Sequence, residues 1–150
     1  MTARVMILNG PNLNLLGVRE PKIYGSTSLA AIEANCRAEA EKLGASLCFR
    51  QSNHEGQLID WIHEARETSD AIIINPAGYS FTSVALLDAL KMFDGPVIEL
   101  HISNIHSRDA IYHHSKISTV ARAVICGLGV HGYVVALQAV VHMLGSVSKS

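Results

Sequence analysis

AIIINPAGYSFTSVALLDALKMFDGPVIELH, residues 71–101, holds two strand-like runs with one helical pattern between them. Ala71–Ile74 is apolar at every position, and Val97–Leu100 is apolar apart from Glu99. The intervening helix is expected over about Ser83–Met92. A strand without polar alternation is buried on both faces, which is the habit of a parallel sheet whose crossover helices cover both sides. The rest of the chain repeats the unit. Upstream, a strand at Val5–Leu8 is followed by a helix from Leu29 that turns Leu29, Ile32, Cys36, Ala40 and Leu43 to one face, with Gly44 as its C-terminal cap. A strand at Ser46–Gln51 and a helix near Gln57–Glu67, burying Leu58, Ile62 and Ala65, come next. Downstream, Ala121–Cys126 is the fifth strand and precedes the last helix. Strands alternating with helices at this size predict a flavodoxin-like, doubly wound, five-stranded parallel sheet in three layers, forming a single domain over residues 1–150.

Composition removes several classes of function. Twelve basic and 13 acidic residues give a net charge of −1, with no basic stripe for a nucleic acid. Cys36, Cys48 and Cys126 show no metal-type pairing and are expected to be buried, reduced thiols, which suits a cytoplasmic protein. The first nine residues read as a strand rather than a signal peptide. Residues 123–148 carry no Asp, Glu, Lys or Arg and are long enough to span a membrane. Gly127, Gly129 and Gly132 interrupt that stretch, however, and Gln138, His142 and Ser146 recur opposite Val134, Leu137, Val141 and Leu144. A buried strand, a glycine turn and an amphipathic helix are expected, and no membrane. The hydrophobic content of 49% and mean hydropathy of +0.24 are high for so small a chain. They point to buried subunit contacts in a homo-oligomer.

Function concentrates in two places. NGPNLNLLGVREPKIYG, residues 9–25, opens a connection of roughly 20 residues with no regular pattern, a length that compact domains seldom keep without a use. We take it for an active-site lid. It carries Asn12, Arg19 and Tyr24, and a guanidinium near a tyrosine favours the phenolate, so Arg19 could make Tyr24 a base at neutral pH. The second place is the rim formed by the carboxyl ends of the strands, where doubly wound sheets bind ligands. Asn12, Ser52, Asn53, His54, Asn75, Glu99, His101, Ser103 and Asn104 all fall there. Glu99 and His101, two apart on one strand, share a face, so the carboxylate can orient the imidazole. The segment SNIHSR, residues 103–108, would offer backbone amides to an anion if it turned helical.

Two other patterns are weaker. GLGVHG, Gly127–Gly132, matches the dinucleotide pattern but lies on the last strand-helix unit, with no following strand to supply an acidic residue for a ribose. His101, His106, His113 and His114 lack a zinc-type spacing, so neither a metal nor another cofactor is expected.

NGPNLNLLG with REPKIYG, then QSNHEG, INPAGYSFTSVAL, ELHISNIHSR, HHS and VICGLGVHGY, resemble in order and spacing the type II 3-dehydroquinate dehydratases. The resemblance implies a flavodoxin-like fold, a dodecamer built from trimers, and dehydration of 3-dehydroquinate to 3-dehydroshikimate without metal or Schiff base. That chemistry serves either aromatic biosynthesis or quinate breakdown. By this resemblance Tyr24 is the catalytic base, Arg19 activates it, Asn12 bonds on the enolate side, His101 donates a proton and Glu99 supports it. Asn75 would hold substrate hydroxyls, the Ile102 and Ser103 amides the carboxylate, and Asp88 would approach from a neighbouring subunit. The chain departs from the pattern in reading Ala77-Gly78 for Gly-Ala, Phe81 for His, Leu87 for Arg and Tyr112 for Arg. Positions 81 and 112 normally touch substrate. Two alternatives stay open: a lyase acting on a related cyclic hydroxyketone acid, and a flavodoxin-like nucleotide or flavin module.

Overall fold

The computed structural model describes residues 2–18 and 20–148. Five parallel strands form one sheet in the order β2-β1-β3-β4-β5, with β1 at Arg4–Asn9, β2 at Ser46–Gln51, β3 at Ala71–Asn75, β4 at Val97–His101 and β5 at Ala123–Cys126. The flavodoxin-like sheet expected from the apolar runs is the sheet observed. Alternating strand residues feed two cores. Val5, Ile7, Ala71, Ile73, Ile98 and Leu100 meet α2 (Leu29–Leu43) and α5 (His131–Ser148) on one face. Met6, Leu8, Ile72, Ile74 and Val97 meet α3 (Glu55–Thr68) and α4 (Val84–Lys91) on the other. Ile72, Ile73 and Ile74 are completely buried, each contributing about 1.5–3 kcal/mol of transfer free energy.

The helices begin and end for local reasons. The Ser28 hydroxyl accepts from the Ala31 N–H and opens α2, and Gly44 closes it at φ 68°, the left-handed conformation that suits glycine. Ser83 caps α4 in the same way, accepting from Leu86 N–H at 2.9 Å, while its own hydroxyl donates to Glu55. Along α5 the buried face is Tyr133, Ala136, Leu137 and Val140, with Gln138 and His142 exposed, as the polar stripe requires. Val134 and Val141 are half-buried, one step round from that face. Ser146's side chain lies outside the described residues. No described helix is long and apolar enough to cross a membrane.

Several sequence expectations are corrected. The α3 helix starts at Glu55 rather than Gln57. The fifth strand starts at Ala123 and not Ala121, because Ala121 N–H bonds back to the Ile117 carbonyl and closes a turn first. The stretch after β1 is not wholly irregular. Leu13 and Leu16 are buried against the sheet and draw residues 13–15 into a 3-10 turn, and a four-residue helix, α1, follows at Pro21–Tyr24. Burial on both faces holds for β1, β3 and β4, whereas β2 and β5 are partly exposed edges, with Val124 41% exposed. Of the three free thiols only Cys36 is buried. Burial, with Glu33 adding and Arg37 opposing, pushes that thiol up to about 12, so it is inert at neutral pH.

Candidate active site

The strand order places the departure point of the chain between β1 and β3, and the ends of β1, β3 and β4 therefore share one rim. Gly10 lets β1 and β3 converge there. A Cβ at that position would stand 2.5 Å from the Pro76 carbonyl oxygen, and its N–H donates to the Asn75 carbonyl at 2.8 Å. Asn12 follows at φ 71°, in the left-handed region that asparagine tolerates better than most residues. Asn53, beyond β2, holds it there: Asn53 Oδ1 accepts the Asn12 N–H at 2.9 Å and Gln51 Nε2 at 3.2 Å, and the Asn53 carbonyl accepts the Tyr79 hydroxyl at 2.7 Å.

Asn12 lines a cleft of about 570 Å³, open mouth included, together with Asn75, Phe81, His101, Ser103 and Tyr112, among others. His101 lines it and is nearly buried, Glu99 behind it is fully buried, and the two meet as their i, i+2 spacing predicts, with His101 Nε2 2.5 Å from Glu99 Oε2. Glu99 Oε1 accepts the Ser118 hydroxyl at 2.6 Å, and the buried Ser80 hydroxyl lies 3.4 Å from His101 Nε2. Burial pushes the Glu99 carboxyl up, but hydrogen bonds from His101 and Ser118 outweigh it and hold the group below its ordinary value of 4.5. An ionised carboxylate only accepts, so Nε2 carries the shared hydrogen and Nδ1 is the nitrogen left to exchange a proton. A depressed carboxyl stabilises the fold above its unfolded value and loses that contribution as pH falls through the folded one. The melting temperature should therefore fall more steeply below pH 4.5 in the wild type than in Glu99→Gln, and parallel acid limbs would contradict this.

The wall beside His101 is aromatic. Phe81 stacks on the His101 ring at 6.0 Å and 29°, and Tyr112 meets Phe81 edge-on at 5.3 Å. The Arg108 guanidinium lies 4.0 Å from the centre of the Tyr112 ring. Arg108 was not singled out from the sequence, although it ends SNIHSR. Ala77 adopts φ 51°, held by its N–H to Asn75 Oδ1 at 3.2 Å. Alanine there costs about 1 kcal/mol or more that glycine would not.

The remaining candidates divide. Asn75, Ile102 and Ser103 line the cleft. The residues 103–108 form only one 3-10 turn, Ile105–Ser107, capped by Asn104 accepting from His106 N–H, so Ile102 and Ser103 precede it rather than begin it. Leu87 packs with the α3–α4 core. Asp88 is exposed on α4, 4.0 Å from Lys91, and is not among the residues that line this chain's own cleft. Arg19 and the side chain of Tyr24 lie outside the described residues. Their neighbour Ile23 borders a depression that also includes Ser103, Asn104, Arg108 and Gly127, so α1 stands beside the cleft. His113 bonds the Arg108 carbonyl at 2.6 Å and faces the His106 ring. Among the described residues no three His, Cys, Asp or Glu side chains gather as a metal site would need.

Residues 3–141 match the family model described as dehydroquinase class II. The chain belongs to that family. It is 59% identical to the 3-dehydroquinate dehydratase 2 of Agrobacterium fabrum, with 96% of each chain covered. It is 57% identical to the 3-dehydroquinate dehydratase of Streptomyces coelicolor, over 96% of this chain and 92% of that one. Among solved structures, the type II dehydroquinase of Propionibacterium acnes superposes with a TM-score of 0.90 at 40% identity, covering 95% of this chain and 98% of the other. A class II dehydroquinase is a hydro-lyase, and the cleft described above is where such a fold has its polar groups.

Proposed function

We propose that residues 1–150 act as one catalytic domain that dehydrates 3-dehydroquinate to 3-dehydroshikimate by elimination through an enolate. The observation that carries this is the buried Glu99–His101 pair opening on a cleft bordered by Asn12 and the α1 segment. Family membership and the names of its relatives support the substrate. In the proposed sequence Tyr24, made more acidic by Arg19, takes the proton beside the ketone, and the Asn12 side chain donates to the oxygen on which charge develops. His101 then gives its Nδ1 proton to the departing hydroxyl, while Glu99, itself held by Ser118, orients the imidazole. Asn75 binds ring hydroxyls, and the amides of Ile102 and Ser103 meet the substrate carboxylate.

We further propose a homo-oligomer of trimers, twelve subunits in all, working in the cytoplasm, in which Asp88 completes a neighbour's site. Its outward position on α4 is compatible with that role. Light scattering should give the mass of a trimer or a multiple of it, and a monomer at micromolar concentration would contradict the assembly. The activity is tested by adding the protein to 3-dehydroquinate. Absorbance of a conjugated enone should rise in the near ultraviolet, and a flat trace at high enzyme concentration would refute the substrate.

The aromatic wall favours one refinement. Phe81 offers no hydrogen bond, and the Tyr112 ring is occupied by Phe81 on its edge and Arg108 on its face. A substrate hydroxyl pressed against the Phe81 ring loses water without a partner, which costs about 1–3 kcal/mol. The Michaelis constant should be high and turnover ordinary, because these contacts are missing both before and during the reaction. Phe81→His with Tyr112→Arg together should lower KM on 3-dehydroquinate by at least about tenfold, each charged or polar contact being worth about 1.5–3 kcal/mol. If the natural substrate is instead a related hydroxyketone acid with an apolar edge, the double variant will gain on 3-dehydroquinate and lose on that acid.

A further inference from the structure

Tyr133 is the largest fully buried side chain among the described residues, and the chemistry proposed above makes no use of it. It stands in the first turn of α5 and reaches the ends of β1 and β3, where Asn9 and Asn75 are register partners on one face of the sheet. Four hydrogen bonds join these groups. Asn9 Nδ2 donates to the Arg50 carbonyl at 3.0 Å, the Tyr133 hydroxyl donates to Asn9 Oδ1 at 2.6 Å, Asn75 Nδ2 donates to the Tyr133 oxygen at 3.1 Å, and Ala77 N–H donates to Asn75 Oδ1 at 3.2 Å.

The direction of this chain is not arbitrary. The Arg50 carbonyl can only accept and the Ala77 N–H can only donate, so both asparagine amides have one orientation that satisfies every bond. Asn9 must turn its oxygen to Tyr133, and Tyr133, having donated to Asn9, must accept from Asn75. Burial pushes the Tyr133 phenol far up, so the hydroxyl keeps the proton it donates. Asn75 is 3% exposed and lines the cleft, and these bonds use only one of its two Nδ2 hydrogens.

From this geometry we infer that Tyr133, anchored by Asn9, is a positioning residue that locks the Asn75 amide with a donor toward the cleft, so that the floor selects an oxygen acceptor on the substrate. The inference rests on the proposal that Asn75 touches substrate. It also explains why a tyrosine, rather than an apolar residue of similar volume, fills this place in the α2–α5 core. Phenylalanine would leave the Asn9 oxygen buried without its donor and free the Asn75 amide to turn.

The test is a cycle of Tyr133→Phe, Asn75→Ala and the two combined, assayed on 3-dehydroquinate. With Asn75 present, Tyr133→Phe should reduce kcat/KM about three- to tenfold, mostly through KM, which is the loss of one neutral hydrogen bond. In the Asn75→Ala background the same change should have less than about a twofold effect, since its only route to substrate is gone. Equal losses in both backgrounds, or unchanged constants in the first, overturn the inference. Asn9→Ser, which withdraws the acceptor on the far side of Tyr133, repeats the test if Tyr133→Phe does not fold. A second readout needs no substrate. The Asn75 side-chain amide signals in a nitrogen–proton spectrum, assigned by their loss in Asn75→Ala, should shift and exchange faster in Tyr133→Phe. If the wild type does not turn over 3-dehydroquinate while these signals move, the substrate is wrong and the positioning role stands; if the signals stay in place, the positioning role is wrong.

Discussion

Tyr24→Phe is expected to reduce turnover of 3-dehydroquinate by at least about 10³-fold while leaving the protein folded. Positioned acid–base groups contribute about 10²–10⁴-fold, and the proposed mechanism gives the first step to Tyr24 alone. A proton beside a ketone is weakly acidic, so the base must be strong, and an ordinary phenol with a pKa of about 10 is mostly protonated at neutral pH. In the proposed mechanism Arg19, five residues before Tyr24, is the charge that favours the phenolate. Phenylalanine keeps the ring and removes the only ionisable oxygen. The α1 segment also borders a depression rather than the core, so its loss of a hydroxyl should not unfold the sheet. Steady-state kinetics with circular dichroism on the same sample check both halves. A folded Tyr24→Phe enzyme with turnover within tenfold of wild type would remove Tyr24 from the chemistry.

His101→Gln is expected to cost about 10²–10⁴-fold in kcat with a smaller change in KM. Glutamine is the informative substitution because its Nε2 can donate to Glu99 Oε2 in place of the imidazole Nε2, which lies 2.5 Å from that oxygen. Alanine would strand a fully buried carboxylate, and removing one partner of a buried pair destabilises by about 3–5 kcal/mol. With glutamine the pair survives, the carboxylate stays satisfied by Ser118, and only the transferable proton is missing. A melting temperature close to wild type, with turnover lost, is the expected combination. Retained turnover would mean that water or another group protonates the leaving hydroxyl.

What could be read from the sequence, and what could not, follows from how local each signal is. The sheet was legible because Ala71–Ile74 and its neighbours are buried on both faces, and nothing in a sequence mimics such runs except a buried helix. The Glu99–His101 pair was legible for a related reason, since a spacing of two on a strand forces a shared face whatever the rest of the chain does. The 3-10 turn at Leu13–Leu15 was not legible, because it arises from Leu13 and Leu16 reaching a core made by distant strands. The same holds for Ser118, 19 residues from the carboxylate it supports, and for Ser80, whose hydroxyl reads as any other loop serine. Tyr133 looks like one more apolar position of an amphipathic helix. Its role emerges only when Asn9 and Asn75, 66 residues apart, are seen as register partners beneath it. Asp88 illustrates the remaining limit, since the role proposed for its exposed side chain depends on another subunit and no local signal in the chain carries it.

The most direct test of the division of labour between loop and strand is proton exchange beside the ketone of 3-dehydroquinate, followed by magnetic resonance in heavy water with wild type, Tyr24→Phe and His101→Gln. If Tyr24 removes the proton and His101 acts only on the departing hydroxyl, His101→Gln will exchange that position while forming almost no enone. Tyr24→Phe will do neither. Exchange at wild-type rate in Tyr24→Phe, or its complete loss in His101→Gln, would contradict the assignment of base and acid.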